Sequence, residues 1–376
     1  MSEKKNILIC PLDWGLGHAS RCVPVIKAFI EANANVIIAA DNRPLAFLSK
    51  EFPDLKCIRF PGYQIKYQRK GSLSLKFIAM LPQILIGIYQ ENRLLDKIID
   101  EYAIDVVFSD NRFGLWNKKT KCIFMTHQVL IKSPVKFAFI DKMLYFINKM
   151  FIRNYSECWI PDFEGNVNLS GDLSHKYKLP IDTYFIEPLS RFKYFEAINE
   201  NKKIDLLVLL SGPEPQRTIF EAIILKQLAN NTIKTVIVQG TPETEEAITI
   251  SENLKIYSHL DTDTLQKFTQ QANIILCRSG YSTIMDMAVF GKKAILVPTP
   301  GQTEQEYLAN YYKGKKYFYT VTQKLFNLDE ALEQSEYYTG IQLTSDGRIL
   351  KARVEAILKC EQVILITNNQ YLVSPL

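Results

Sequence analysis

Two side chains near the front of the chain could move a proton. His18 stands in Asp13-Trp14-Gly15-Leu16-Gly17-His18-Ala19-Ser20-Arg21, directly after the strand-like run Ile7–Cys10 and at the opening of a helical stretch. Gly15 and Gly17 let the backbone turn sharply, and a helix that starts there points free N–H groups at an anion. Imidazole ionises near neutral pH, so His18 suits substrate contact or general-base work; the plainer alternative is a helix-start residue bonded to backbone. Asp110 ends the run Val106–Ser109, where it could reach His18 and hold its imidazole in the basic tautomer, or simply cap a turn. Arg112 follows Asp110 in the same loop. His127, with Gln128 beside it, comes after the run Cys122–Met125 in a similar position.

A second set of loops could seat an anion. Leu210-Ser211-Gly212-Pro213-Glu214-Pro215-Gln216-Arg217-Thr218 follows a strand-like run and opens a helix. Ser211 and Gly212 allow close backbone approach, and Arg217 and Thr218 add donors. No P-loop lysine is present, so this is not an NTPase loop; an ordinary strand–helix turn is the alternative. Further on, Cys277-Arg278-Ser279-Gly280-Tyr281-Ser282-Thr283 turns into another helix, with Asp286 six residues past the glycine. Such a turn can grip a phosphate, and the carboxylate a ribose diol. Pro298-Thr299-Pro300-Gly301-Gln302-Thr303-Glu304-Gln305-Glu306 comes one strand later, and its Gln305-Glu306 pair sets an amide beside a carboxylate, which suits adjacent sugar hydroxyls.

These loops need elements to hold them. Strand-like runs alternate with helical patterns: Ile7–Cys10, Val36–Ala40, Lys56–Phe60, Val106–Ser109, Cys122–Met125, Cys158–Ile160 and Tyr184–Ile186 in the first half, then Asp205–Leu210, Thr235–Val238, Lys255–Tyr257, Ile274–Cys277, Ala294–Val297 and Tyr317–Val321. Helical stretches such as Arg21–Asn33, Gln216–Asn230 and Thr283–Phe290 fill the gaps. Short β-branched runs, apolar on both faces and separated by helices, predict an α/β protein with doubly wound parallel sheets. The polar stretch near Pro188–Asn201 predicts a boundary. The expected organisation is a Rossmann-like acceptor domain over 1–190, a Rossmann-like donor domain over 191–343, and a tail over 344–376 whose helical pattern, Ile349–Leu358, crosses back to the first domain. The two sheets are expected to face each other across a cleft, with ligands beyond the carboxyl ends of the strands.

Composition narrows the function. The chain of 376 residues is 47% apolar and 23% charged, a globular mix with material for two cores. Seven scattered cysteines with no C-x-x-C read as buried hydrophobes in a reducing compartment, with no zinc site. Met1–Lys5 leads straight into a strand, with no signal-peptide pattern, and the apolar run Phe77–Tyr89 is shorter than the roughly 20 residues of a bilayer span. A cytoplasmic protein, peripheral on the inner membrane face, is the expectation. Residues 1–190 carry a surplus of six basic over acidic residues, while the rest is nearly balanced. No nucleic-acid partner is expected; the basic half suits an anionic surface. Within 135–153, Phe139, Ile140, Met143, Leu144, Phe146, Ile147, Met150 and Phe151 share one half of a helix, and Asp141, Lys142, Tyr145, Asn148, Lys149 and Arg153 the other. That is a basic amphipathic helix suited to a bilayer surface or, alternatively, to packing on the sheet. Lys66-Tyr67-Gln68-Arg69-Lys70 and Phe77–Tyr89 add to the same reading.

The order Cys277-Arg278-Ser279-Gly280, Asp286, Pro298 and Gln305-Glu306-Tyr307 resembles the donor-binding region of GT-B glycosyltransferases of the family-28-like group, which includes the lipid II N-acetylglucosaminyltransferase and the diacylglycerol sugar transferases. That family has glutamate where Asp286 stands, and commonly two glutamines at Gln305-Glu306. The loop holding His18 resembles its acceptor-side loop. Asp110 resembles the aspartate that orients the catalytic histidine in small-molecule glycosyltransferases. The resemblance implies a nucleotide-sugar donor, a UDP-sugar, as substrate, with no cofactor and no metal. Its diphosphate would lie at Ser211–Thr218 and Ser279–Thr283, its base near His259-Leu260, its ribose at Asp286 and its sugar at Gln305 and Glu306. Helix N-termini and Arg217 would stabilise the departing diphosphate in place of a metal. Asp261-Thr262-Asp263 matches a metal-binding D-x-D but reads better as a helix start. The acceptor hydroxyl, on a lipid-linked molecule, would give its proton to His18 in an inverting displacement, with Gly15, Gly17, Arg112 and His127 lining the acceptor side. The rivals are a non-hydrolysing UDP-sugar 2-epimerase, an NAD-dependent oxidoreductase built on Gly15, Gly17 and Asp41, and a catalytically silent nucleotide-sugar binding protein.

Overall fold

The computed structural model describes residues 4–62, 73–133, 137–192, 203–229, 231–241, 246–341 and 345–359. They divide into two units, one made of 4–189 and 345–359, the other of 190–341.

The first unit runs β1 (Asn6–Pro11), α1 (Leu16–Glu31), β2 (Asn35–Ala40), α2 (Asn42–Glu51), β3 (Lys56–Arg59), α3 (Leu73–Tyr102), β4 (Val106–Asp110), β5 (Lys121–Met125), α4 (Ala138–Ile152), β6 (Glu157–Ile160), α5 (Asp172–His175) and β7 (Asp182–Phe185). Its strands form one sheet in the order β3-β2-β1-β4-β5-β6-β7, parallel throughout. β1, β4 and β5 are buried almost end to end, because helices cover both faces and the strands carry apolar side chains on both. Phe29, Phe108 and Trp159 meet edge to face between α1 and the sheet.

The second unit repeats the plan with β8 (Ile204–Leu209), α6 (Gln216–Leu228), β9 (Thr235–Val238), β10 (Ala247–Ser251), β11 (Leu254–Tyr257), α7 (Thr262–Gln271), β12 (Ala272–Cys277), α8 (Tyr281–Phe290), β13 (Ala294–Leu296), α9 (Thr303–Gly314), β14 (Tyr319–Thr320) and α10 (Leu328–Ser335). The order is β10-β11-β9-β8-β12-β13-β14, parallel except where β10 runs against β11. The doubly wound parallel sheets expected from the sequence are therefore present, and each expected strand run overlaps an observed strand. The sequence reading passed over β10. All five of its residues are exposed, so its apolar positions report pairing along an edge and not a core.

Both sheets share one geometric consequence. The first strand of each unit lies in the middle of its sheet, and the chain winds away from it first to one side and then to the other. The loops that follow β1 and β4, and those that follow β8 and β12, therefore splay apart and open a crevice at the carboxyl edge.

Helix α11 (Arg348–Lys359) belongs to the first unit. It is held there by Arg353, whose Nε donates to Glu157 Oε2 at 2.8 Å and whose Nη2 pairs with the same oxygen. Trp159 Nε1 also donates to that oxygen, at 3.0 Å, and Lys121 Nζ stands 2.9 Å from Glu157 Oε1. Arg353 stacks over the Tyr184 ring, 3.6 Å from its centroid. Glu157 is almost wholly buried, so a lost cation leaves a desolvated charge. Arg353→Met should cost about 3 kcal/mol of stability, since removing one partner of a buried ion pair is more damaging than replacing both. Urea unfolding checks this, and amide exchange should quicken first along 348–359.

Candidate active site

In the first unit the crevice gathers His18, Arg21, Asp110 and His127. Gly15, at φ +153°, precedes α1, so Leu16, Gly17 and His18 occupy the first helical turn at the crevice mouth. Asp110 is the last residue of β4 and fully buried. His18 Nδ1 lies 3.0 Å from Asp110 Oδ2, and the His18 side chain keeps 19% exposure. When Nδ1 donates to the carboxylate, Nε2 is left with a lone pair that can take a proton.

The sequence reading missed Arg21. It follows His18 by one helical turn, faces inward among Cys22, Val25 and Phe29, and is 1% exposed. Its Nε donates to both Asp110 oxygens, at 3.1 Å and 2.9 Å, and its Nη2 pairs with Oδ1. Its Nη1 reaches His127 Nδ1 at 2.8 Å. The available signal was an arginine at a core position of an apolar helix face, which demands a buried carboxylate elsewhere in the chain. Burial pushes the Asp110 carboxyl up, but the charges and hydrogen bonds of Arg21 and His18 outweigh it and hold it at about 2.

Arg112 does not join this group. It is fully buried, donates from Nε to Glu91 Oε1 at 3.1 Å and from Nη1 to Phe60 O at 3.1 Å, and stacks on the Phe60 ring. The expectation that it lines an acceptor site is corrected: a guanidinium already desolvated and paired braces the β3 and β4 loops. Asp41 likewise accepts from Arg59 Nε at 2.8 Å instead of standing open for a dinucleotide ribose.

In the second unit the loops after β8, β12 and β13 converge. The Ser211–Thr218 turn carries its own anion. Glu214 accepts from Arg217 Nε at 2.7 Å, from the Thr218 hydroxyl at 2.8 Å and from Thr218 N at 3.3 Å, and Arg217 Nη1 also reaches Glu221 at 3.3 Å. Burial raises the Glu214 carboxyl, yet those bonds leave it below its ordinary value. The expectation of Arg217 as the cation for a departing diphosphate is corrected, because two carboxylates already neutralise it. Ser211 remains exposed, and Gly212, at φ +101°, brings the backbone to the Thr299 hydroxyl: a Cβ there would sit 3.4 Å from its oxygen.

The turn into α8 differs. Gly280 is the N-cap, and no side chain caps the helix, whereas Asp261 caps α7 by accepting from Thr264 N at 2.9 Å. Arg278, 1% exposed, donates to Val297 O at 3.1 Å, Gln216 O at 2.9 Å and Gln323 Oε1 at 2.8 Å, and lies over the Phe220 ring. Among the described residues no carboxylate pairs with it, and burial lowers its pKa to about 10. Arg278 Nε and Thr299 Oγ1 are buried without a hydrogen-bond partner. A helix N-terminus beside a buried cation that lacks a counter-ion is an electropositive seat. Arg278 lends charge to it from behind and does not itself reach out as a ligand.

Around this seat, Ser279 Oγ donates to Gln305 O at 2.8 Å, and Gln305 Oε1 accepts from Thr299 N at 2.8 Å, while its amide nitrogen stands 4.0 Å from the Cβ position of Gly280. Glu306 Oε1 accepts from Gly301 N at 3.0 Å. Ser282 and Thr283 are half-buried in the first turn of α8. Asp286 accepts from Ser190 Oγ at 2.6 Å, and burial, only partly offset by that bond and by Arg191, raises it to about 6. His259 is half-buried and Leu260 buried, just beyond β11. Among the described residues no group of three or more His, Cys, Asp or Glu could hold a metal ion, and Asp261 of the D-x-D match serves as the α7 cap.

Residues 208–337, which contain this seat, match the glycosyltransferase family 28 C-terminal domain. A UDP-N-acetylglucosamine–N-acetylmuramyl-(pentapeptide) pyrophosphoryl-undecaprenol N-acetylglucosamine transferase from a Sulfurihydrogenibium species is 25% identical over 166 residues, 42% of this chain and 45% of that protein. The chain thus aligns with less than half the length of that relative. Its namesake from a Thermoanaerobacter species is 22% identical over 354 residues, 85% of this chain and 87% of that one. The solved structure of the glycotransferase of kitacinnamycin shares the fold with a TM-score of 0.59 at 12% identity, over 96% of both chains. Two Rossmann-like units of this topology define the GT-B class. Within that fold, residues 208–337 resemble the glycosyltransferase family 28 C-terminal domain, and the chain is similar to the two transferases above at low identity.

The Asp110 carboxyl supplies a check that needs no substrate. Its folded value of about 2 lies below the ordinary 3.8, so its contribution to stability is complete above pH 3.8 and is lost as pH falls from there through about 2. Urea midpoints measured over that window should fall with acidity in the wild type and flatten in Asp110→Asn.

Proposed function

We propose that this protein moves a sugar from a UDP-sugar to an acceptor hydroxyl, with inversion at the anomeric carbon. The observation that carries the reading is the electropositive seat at Gly280, backed by the buried Arg278 and lying inside the stretch that matches the family 28 domain. A sugar diphosphate brings the anion that this seat lacks. Main-chain N–H groups of α8 take phosphate oxygens, and the leaving diphosphate gains most from them as its charge grows. Thr299 Oγ1, just past β13, is buried without a hydrogen-bond partner and is offered to the same ligand. Asp286 keeps Oδ2 for a ribose hydroxyl, Gln305 and Glu306 face the sugar, and His259-Leu260 border the base.

His18 is the proton acceptor. Its Nε2 takes the acceptor's hydroxyl proton as that oxygen bonds to the anomeric carbon. The bond from that carbon to the diphosphate oxygen breaks, and the electron pair leaves with UDP. Asp110, held on Nδ1, stabilises the imidazolium that forms.

The acceptor side carries an unusual surface. Helix α4 is turned from the orientation its pattern suggests. Tyr145 and Asn148, from the expected polar half, are buried because Tyr145 Oη donates to Lys178 O at 2.6 Å and Asn148 Nδ2 to Gln128 O at 2.8 Å. Phe139, Met143, Phe146 and Met150 are left exposed, beside Lys142. On α3, Leu85, Ile86 and Tyr89 are exposed as well. Lys66–Lys70, Val135 and Lys136 lie outside the described residues, as do the side chains of 77–81. No described helix is long and apolar enough to cross a membrane. An apolar face fringed by lysine suits a lipid-linked acceptor met at the cytoplasmic face of an anionic bilayer.

Two experiments follow. A thermal-shift panel should show UDP and UDP-sugars raising the melting temperature above other nucleotides, and His18→Ala should keep that shift while losing about 100-fold or more in transfer rate. Near-wild-type transfer by that variant removes the base role. Anionic vesicles should sediment the protein at low salt and release it at high salt, and Phe139→Ser/Phe146→Ser should weaken the association; absence of sedimentation at every ionic strength refutes the membrane reading.

A further inference from the structure

Asp110 is not the only group that touches the His18 ring. Arg21 Nη2 lies 2.9 Å from the same Nδ1 atom that Asp110 Oδ2 approaches at 3.0 Å. Arg21 Nη1 lies 2.8 Å from the Nδ1 of His127, a residue 3% exposed at the carboxyl end of β5. One guanidinium on α1 thus joins a carboxylate from β4, the imidazole of His18 one turn earlier on the same helix and the imidazole of His127 from the loop after β5. The Cys22 thiol also faces Asp110 Oδ2, at 3.8 Å.

We propose that Arg21 is the positioning residue of this site: its buried guanidinium locks the Asp110 carboxylate against His18 and fixes which ring nitrogen carries the proton on His127. The proposal rests on the proton-accepting role assigned to His18. An arginine side chain only donates and stays charged. An N–H aimed at His127 Nδ1 requires a lone pair there, so we assign that ring as neutral with its hydrogen on Nε2; the Gln128 amide, whose nitrogen lies 3.4 Å from Nε2, then turns its oxygen to that N–H. At His18 the same nitrogen faces both a donor and an acceptor. It donates to Asp110 when protonated and accepts from Arg21 when bare, and only the first arrangement leaves Nε2 free to take a proton. The fork of Arg21, with Nε on both carboxylate oxygens and Nη2 on Oδ1, stops the carboxylate from rotating away and keeps Oδ2 on Nδ1. A lysine would supply the charge without the fork.

The test pairs turnover with ring spectra. Arg21→Lys keeps a cation opposite Asp110 and should fold. It should lower kcat by roughly 10- to 100-fold, as small misplacements of a reacting group do, with donor and acceptor KM changed by less than about twofold. Long-range proton–nitrogen spectra of the wild type should show His127 as a single Nε2–H tautomer, and in Arg21→Lys as a mixture. Arg21→Met/Asp110→Asn removes both buried charges together, which preserves folding better than removing one; its His127 ring should also lose the single tautomer. Unchanged kcat in Arg21→Lys, or a His127 ring that keeps one Nε2–H tautomer in either variant, overturns the proposal. The spectra need no substrate, so they still judge Arg21 if His18→Ala transfers normally and the base role fails.

Discussion

The constraint on which the rest depends is the position of the first strand in each unit. A parallel sheet cannot return by a tight turn; each crossover spends a helix, and the chain must choose a side. Both units start in the middle and wind both ways, so two adjacent loops leave the sheet in opposite directions. The residues around which each site is built sit in those gaps: His18 after β1 and Asp110 at the end of β4, then Gly212 after β8 and Gly280 after β12. The side chains did not have to find one another from distant surfaces. The winding order had already delivered them.

The two gaps solve different electrostatic problems. In the first, a carboxylate is buried completely, and a bidentate arginine holds it charged. In the second, an arginine is buried with carbonyls for company and no acid among the described residues, so its charge stands unbalanced there. A satisfied ion pair gives a rigid scaffold around an ionisable ring; an unsatisfied cation gives affinity for something negative. The contrast lies in the partners, since both arginines are equally hidden.

That difference explains what could be read from the amino-acid order. Most strands were legible because buried parallel strands are apolar on both faces and short, a mark that β10, an exposed edge, lacked. The proximity of His18 and Asp110 was legible because both stand at strand ends in a fold whose first and fourth strands are neighbours. The fates of the arginines were not. Arg112 is consumed by Glu91 from the long helix before it, Arg217 by Glu214 and Glu221 beside it, and nothing in the spacing says that Arg278 meets no acid among the described residues. Arg21 went unremarked because a helix pattern registers it as a polar interruption, although its partner lies 89 residues away. The face of α4 was misjudged for a related reason: tyrosine and asparagine count as polar in a periodicity, yet each fits a core when a carbonyl receives its hydrogen.

The grip of Arg353 on Glu157 spans 196 residues and draws α11 back onto the first unit after the whole second unit has been made. During synthesis, then, the leading half emerges with an acidic group in its interior still waiting for its principal cation, while the trailing half can close as soon as its own last strand and helix appear. Vectorial translation would thus reverse the usual order of maturation, with the later-made half settling first and the earlier-made half completed only when its final clasp leaves the ribosome.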